Sequence, residues 1–254
     1  MKTSNKLLLG FLIVCVISVL YLILNVKYII NKGNGNSFDI KANYNNISRE
    51  YKPEHFNRVI LKNNIRSSYK PSSESKIIIH TDEDIMDMFQ YEVENGELLL
   101  STKKNNIRGV IDVEIYTDSL TGITLFQGSR METDSFCVSS CIVKLQEASN
   151  FNGFINTKDL VVKSKGTSTA TIEGFSENLV ADIEERGILF ATNLTVNNAK
   201  INLSKMSNAT LLVKEKMSVD IQKGCELKYF GSPLMENVNI EKGARIVKEG
   251  EKDF

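Results

Sequence analysis

Apolar-polar-apolar triplets return at a nearly fixed interval through the second half of this chain, and that interval limits the folds open to it. They stand at Ile123-Thr124-Leu125, Val143-Lys144-Leu145, Ala181-Asp182-Ile183, Ile201-Asn202-Leu203, Val219-Asp220-Ile221 and Val238-Asn239-Ile240. A degenerate copy, Val162-Lys163-Ser164, fills the one gap, and first positions then follow at 20, 19, 19, 20, 18 and 19 residues. A period this regular marks a solenoid, because each unit buries little apolar surface alone and stacking on its neighbours creates the core. Within a triplet the side chains alternate inward and outward, which gives the apolar-polar-apolar form. Second short strands, such as Phe154-Ile155, Thr171-Ile172 and Leu227-Tyr229, follow most triplets. The LxxLxLxxN pattern of a leucine-rich repeat is missing, so the spacing predicts a parallel β-solenoid with about 19 residues per coil.

The rest of the domain agrees. Short β-branched runs such as Val59-Ile60-Leu61, Ile77-Ile78-Ile79 and Val110-Ile111-Asp112-Val113 lie between turn formers, and 84–91 has room for one or two helical turns. The class is all-β. Coils between Arg58 and Leu120 are expected to extend the stack with looser spacing. Asn accounts for 25 residues and, with Gly, accepts left-handed backbone angles cheaply, as a coil corner requires at Asn197-Asn198 and Gly224.

Upstream, residues 7–26 form an uncharged run, LLLGFLIVCVISVLYLILNV. As a helix it would span about 30 Å, the thickness of a bilayer's hydrocarbon core. Lys2 and Lys6 precede it and favour a cytoplasmic amino end, while Lys27 and Lys32 reduce the asymmetry. No small-x-small cleavage site follows, and Cys15 lies mid-run after Val14, unlike a lipoprotein cysteine. The run predicts one uncleaved transmembrane signal-anchor, hence a single-pass membrane protein with its head outside the cytoplasm, periplasmic or at the cell surface. The expected organisation is a cytoplasmic stub and anchor over 1–31, a flexible Asn/Gly-rich linker over 32–55, the β-helix head over 56–247 and a charged tail over 248–254.

The carboxy-terminal stretches VDIQKGCELKYFGSP (219–233) and VNIEKGARI (238–246) carry a family likeness. They resemble the end of the GIN-type auto-transporter adhesin head domains of Bacteroidetes: a V-x-I stretch, a Gly-containing corner, an apolar-x-Tyr pair, Gly-x-Pro and a last V-x-I coil. Tyr229, Gly231, Pro233 and Gly243 hold the marker positions. Phe56-Asn57-Arg58-Val59 and the Asn95-Gly96-Glu97-Leu98 turn match the family's opening, so the likeness extends over most of 56–247. Members usually show repeated G-x-G-D corners. Here Lys223-Gly224-Cys225-Glu226 stands instead, and Lys165-Gly166-Thr167 and Glu185-Arg186-Gly187 keep one glycine each, so the chain resembles a divergent member. The resemblance implies a right-handed β-helix exposed outside the cytoplasm and an adhesive role. It brings no catalytic residue.

Chemistry-bearing residues are few. Lys+Arg and Asp+Glu number 31 each, and this balance excludes the basic excess of a nucleic-acid binder. Only 2 His are present, His55 and His80. Neither accompanies a G-x-S-x-G elbow, and both are expected at the surface, with His80 able to meet a carboxylate. Asp82-Glu83-Asp84 with Asp87 lacks the spacing of a calcium loop and is expected to be a hydrated acidic loop. Cys137 and Cys141 are too far apart along one strand to pair and lack zinc spacing, so they and Cys225 are expected as buried thiols. No catalytic, cofactor or metal site is therefore expected. Glu173, Asp182, Glu184 and Glu185 fall on outward or corner positions of neighbouring coils, where a sugar-cleaving cluster could form. Tyr229 and Phe230 are the aromatics to inspect for a ligand.

Three functions follow: a non-enzymatic adhesin-like binding or structural module of the cell envelope, a carbohydrate-active β-helix enzyme using surface carboxylates, or an envelope signalling subunit. The partners anticipated are the membrane through 7–26, an envelope polysaccharide or protein, and a second copy in a homo-oligomer.

Overall fold

The computed structural model describes residues 46–250 apart from 105, 106 and 108. The anchor expected over 7–26, like residues 251–254, lies outside the described residues, among which no helix is long and apolar enough to cross a membrane. In chain order the elements are β1 (Asn46–Tyr51), β2 (Arg58–Leu61), β3 (Arg66–Pro71), β4 (Lys76–Asp82), the single turn α1 (Glu83–Met86), β5 (Phe89–Glu94), β6 (Glu97–Thr102), β7 (Asp112–Thr117) and β8 (Gly122–Leu125). The long strands β9 (Arg130–Leu145), β10 (Asn150–Ser164), β11 (Thr169–Ile183), β12 (Ile188–Leu203) and β13 (Asn208–Ile221) follow, then β14 (Glu226–Phe230), β15 (Leu234–Ile240) and β16 (Arg245–Lys248).

Parallel pairing builds a β-solenoid of about seven turns with about 19 residues per turn. Every triplet is in register with the next: Ile123 opposes Val143, then Val162, Ala181, Ile201, Val219 and Val238 in succession. The degenerate copy at Val162 takes its place in this ladder. All of these first positions except the terminal Val238 are buried. Through β9–β13 the second short strands fuse with the following triplet into strands of 14 to 16 residues that bend midway, whereas residues 227–229 lie in the separate strand β14. In β10 the inward residues Phe151, Ile155 and Thr157 are followed by two exposed residues, Lys158 and Asp159, before Leu160 and Val162 point inward again. That break in alternation divides each coil into two faces: one holding the residues after the corner, here called the leading face, and one holding the triplets.

The corner between successive coils is the tightest part of the chain. Two consecutive residues take positive φ: Gln127 and Gly128, Glu147 and Ala148, Gly166 and Thr167, Glu185 and Arg186, Lys205 and Met206. Their amides bond to the next corner, as in Ala148 N to Gly166 O at 2.8 Å and Thr167 N to Glu185 O at 3.1 Å. The residue that re-enters the core must be small, and Ser129, Ser149, Ser168 and Ser207 are fully buried there. Ser149 and Ser168 donate their hydroxyls to the carbonyls three residues back, of Gln146 and Lys165, at 2.6 and 2.8 Å. Gly187 and Cys225 occupy the same position in their coils, closed by Gly187 N to Glu184 O and Cys225 N to Gln222 O.

Coils before residue 120 do extend the stack, but out of sequence order. β2 lies between β6 and β8, and β3 between β7 and β9, all parallel. The coil β2–β3 is thus flanked on one side by the later coil β6–β7 and on the other by β8 and β9. Antiparallel strands close this end, with β5 on β6, β4 on β7 and β1 on β4. Part of the linker expected over 32–55 is therefore structural: Asn46–Tyr51 is β1, held by six register positions on β4 and by Ile47 and Tyr51 packing against the core. The end of the expected head shifts as well, since β16 runs through Lys248.

Two substitutions test the corner and the tail. A Cβ on Gly231 (φ 93°) would sit 2.1 Å from the Val213 carbonyl oxygen, so Gly231→Ala is expected to destabilise by about 2 kcal/mol in urea unfolding. Met206 is 54% exposed at φ 64°. It loses little burial as Met206→Gly, and relief of its left-handed strain is expected to stabilise by about 1 kcal/mol.

Candidate functional site

The leading face carries the densest grouping of polar side chains, and sheet order rather than sequence order assembles it. Neighbouring strands run β1-β4-β7-β3-β9-β10-β11. Alternation turns Ser48, His80, Glu114, Lys70, Glu132, Asn152 and Glu173 outward on successive strands, while Ile79, Val113, Tyr69, Met131 and Phe151 fill the core beneath. Two adjoining depressions of about 310 and 330 Å³ share Ser68 and Glu132 and together run from His80 to Glu173.

Glu114 is the hub of one end. It accepts hydrogen bonds from the Tyr116 hydroxyl and from Lys70 Nζ at 3.1 Å, and His80 Nε2 lies 3.5 Å away. Ser48 Oγ is 2.7 Å from His80 Nδ1. Lys70 and Lys76 both stand over the Tyr116 ring, at 5.8 and 4.7 Å from its centroid. The Tyr116 hydroxyl, followed by Lys70, holds the Glu114 carboxyl below the ordinary carboxylate range; the same bond raises the Tyr116 phenol. Because the native value is depressed, Glu114 contributes stability above the ordinary carboxylate range and loses it as pH falls through its native value.

Ser48, His80 and Glu114 form a row with the residue types of a nucleophilic triad, but differ from one in chemistry. Glu114 is already committed to a phenol and an ammonium, which lowers its capacity to support an imidazolium. The β4 and β7 backbones beneath His80 and Glu114 are paired on both edges, where an oxyanion would need free amide donors. What the row offers is a fixed array of donors and acceptors on a rigid sheet.

The other end is shaped by a bulge. Register between β9 and β10 shifts between Gly153 and Ile155, so Asp134 and Ser135 face the single residue Phe154. The phenyl ring of Phe154 is 39% exposed, and Asp134, Asn152 and Glu173 line the same depression. Gly153 is an inward position of β10: a Cβ there would meet Thr133 Oγ1 at 2.2 Å and the Phe151 ring at 2.7 Å, so the glycine makes room for that ring in the core below. An exposed ring flanked by carboxylates and an amide can stack on a sugar face while the polar groups bind hydroxyls.

The residues singled out from sequence are dispersed. Glu173 lines this depression, but Asp182 lies on the triplet face, where Asn202 donates to it at 2.6 Å and Lys163 stands at 3.5 Å. Glu185 and Glu184 sit at a corner beside Lys205, at 2.9 and 3.5 Å. The mid-strand bend separates them from Glu173, so the four carboxylates do not form one cluster. His55 is exposed, 3.9 Å from Asp118. Asp87 is 3.6 Å from Arg49, and no group of metal-ligating side chains occurs among the described residues. Cys141 and Cys225 are buried as expected, with the Cys141 thiol pushed up to about 12 by burial. Cys137 is exposed instead, because the extra residue of the bulge shifts the inward positions to Phe136 and Val138. Tyr229 is half-buried against the core. Tyr91, Phe154, Phe175 and Phe190 are the more exposed aromatics.

Known proteins of this architecture define its class. Residues 55–233 match the family described as "Putative auto-transporter adhesin, head GIN domain", and the chain belongs to this family. A "putative adhesin" from Bacteroides fragilis has the same fold, with a TM-score of 0.75 at 19% identity over 82% of this chain and 99% of that one. A second "putative adhesin", from Parabacteroides merdae, gives a TM-score of 0.63 at 13% identity over 82% and 98%. A "putative lipid binding protein" from Parabacteroides distasonis gives 0.57 at 16% identity, with the same two coverages. No curated protein matches the sequence. The recurrence of one fold at such low identity is what a solenoid permits, since inward size and corner geometry are conserved by physics while outward residues vary freely.

The hub is open to direct measurement. In Glu114→Gln the Tyr116 phenol is expected to ionise at lower pH than in the parent, followed by NMR of ring-labelled tyrosine with Tyr116→Phe assigning the signal. An unchanged titration would separate the two side chains in solution.

Proposed function

We propose that this protein is a membrane-anchored, extracytoplasmic binding module of the cell envelope, non-enzymatic and adhesin-like, whose ligand is an envelope polysaccharide held on the leading face. Family membership supports the adhesive class. The observation that carries the ligand is Phe154, an exposed ring set between Asp134, Asn152 and Glu173 in an open depression on a rigid sheet. A polysaccharide needs a long, shallow, polar platform with an aromatic stacking point rather than a deep pocket. The head winds right-handed, as nearly all parallel crossover connections do. Residues 7–26 tether it as a signal-anchor, with the head on the far side of the membrane.

Binding of envelope polysaccharide fragments to the full chain in detergent, measured by calorimetry, tests the ligand. Phe154→Ala is expected to weaken binding at least tenfold, equal to about 1.4 kcal/mol, without moving the unfolding midpoint by more than a degree or two. Equal affinity would remove the leading face from the interaction, and steady release of reducing ends would support the carbohydrate-active reading instead. For the address, protease added to intact spheroplasts is expected to digest the head, and deletion of 7–26 to release it from the membrane fraction. A protected head would place it in the cytoplasm.

A further inference from the structure

The two ends of the solenoid are finished differently. At the amino-terminal end antiparallel strands close the stack, and the outermost, β1 and β5, carry Arg49, Glu50, Glu92 and Glu94; charges on an edge strand discourage further pairing. At the other end, among the described residues, β15 pairs only with β13 and β16 only with β14, so each leaves one backbone edge open there. Val238 and Ile240 align with Val219 and Ile221, which are 3% and 0% exposed, yet are themselves 49% and 38% exposed. Core positions of the last coil therefore face solvent, with Ile246 beside them.

We propose that a second copy of this chain covers this end, with β15 of each copy pairing antiparallel to β16 of the other about a two-fold axis. Geometry selects the arrangement. The chain climbs from β15 through a corner to β16, so β16 stands half a coil further along the solenoid than β15, like the raised side of a lock washer. Laying β15 on its own counterpart and β16 on its own leaves the two gaps unequal by a full strand spacing. Crossing them, β15 on β16, makes both gaps equal, so both edges reach hydrogen-bonding distance together. Charge is compatible: Glu236, the sole charged residue of β15, pairs with Lys216 of its own chain at 2.9 Å. Of the charged residues of β16, Arg245 pairs with Glu226 at 3.1 Å and Lys248 donates to Ser232 at 3.0 Å. Self-pairing of β16 would bring those cations together, whereas crossing sets them against the acidic strand. The two apolar ends then form one continuous core.

Sedimentation velocity of the full chain in detergent is expected to show a dimer at micromolar concentration. Val238→Glu with Ile240→Glu, at positions already exposed, is expected to convert it to monomer with the circular dichroism unchanged. In a Cys137→Ser background, Asn239→Cys chains mixed with Val247→Cys chains are expected to yield a disulfide-linked dimer on oxidation, and neither alone to do so. A parent monomer, a dimer that survives the two glutamates, or cross-linking within one variant alone would each overturn the proposal.

Discussion

Paired residues at positive φ fix the length of each coil, and the remainder of the head depends on that length staying constant. When Gln127-Gly128, Glu147-Ala148 and Gly166-Thr167 turn the chain at equivalent points, the amide of one corner reaches the carbonyl of the next and the ladder runs unbroken around the bend. Only then do Val143, Val162 and Ala181 meet face to face and exclude water from both sides. In three of the five corners both residues are non-glycine: Glu147 and Ala148, Glu185 and Arg186, and Lys205 and Met206 hold the strained conformation. Each costs about 1–2 kcal/mol relative to an ordinary conformation. The strain is tolerated because inter-coil bonding and burial of the following Ser or Gly lock each turn on two sides.

The same constancy organises the outer surface. Residues one coil apart fall side by side, so outward polar groups form ladders of their own. Asn178 donates to Asp159 at 2.8 Å and Asn198 to Asn178 at 3.2 Å along the mid-strand bend. On the triplet face Asn202 bonds Asp182, and Asn239 bonds Asp220 at 3.0 Å. Such rows satisfy one another's donors and acceptors. The amino-terminal third of the leading face is different because its strands come from coils of unlike sequence. There a serine, a histidine, a glutamate and a lysine from four strands converge, and the bulge at Phe154 interrupts the regular stacking.

These two regimes explain how far the sequence could be read. Wherever coils follow one another in chain order, a triplet's partner is simply the next triplet, and the spacing of 18 to 20 residues located every pair from Ile123 to Val238. Gly231 could be recognised as a marker for a physical reason, since its α-carbon packs against the Val213 carbonyl. Before Leu120 no local signal states which strand lies beside which, because Arg58–Leu61 bonds to strands 39 and 64 residues further on. The site was hidden for the same reason. His80 was visible as a residue able to meet a carboxylate, but Glu114, Lys70 and Ser48 become its neighbours only through that out-of-order stacking. Alternation in Asp112-Val113-Glu114-Ile115-Tyr116 marked Glu114 and Tyr116 as outward; it could not place them beside β3 and β4.

Stacking in chain order has a further consequence, because a solenoid built by repetition contains no instruction to stop. Every coil prepares an apolar underside and two open edges for the next, and the last inherits both. The amino-terminal end escapes this by reversing direction: β4 and β5 run antiparallel to the coils they cover, and α1 buries Ile85 and Met86 under them. Reversal ends propagation at β5, whose direction opposes the coils, and on the other face β1, laid antiparallel on β4, leaves an edge strand carrying Arg49 and Glu50. At the carboxy-terminal end β15 and β16 keep the parallel sense to the last described strand, so closure there must come from whatever meets them. In the proposed dimer the partner supplies a reversal absent at this end among the described residues. The two-fold axis that carries β15 onto the face of β16 runs along the strands, and because the two faces of a coil run in opposite directions the crossing strands meet antiparallel. In that proposed dimer one device, an antiparallel cover on a parallel stack, finishes both ends: once within the chain and once between chains.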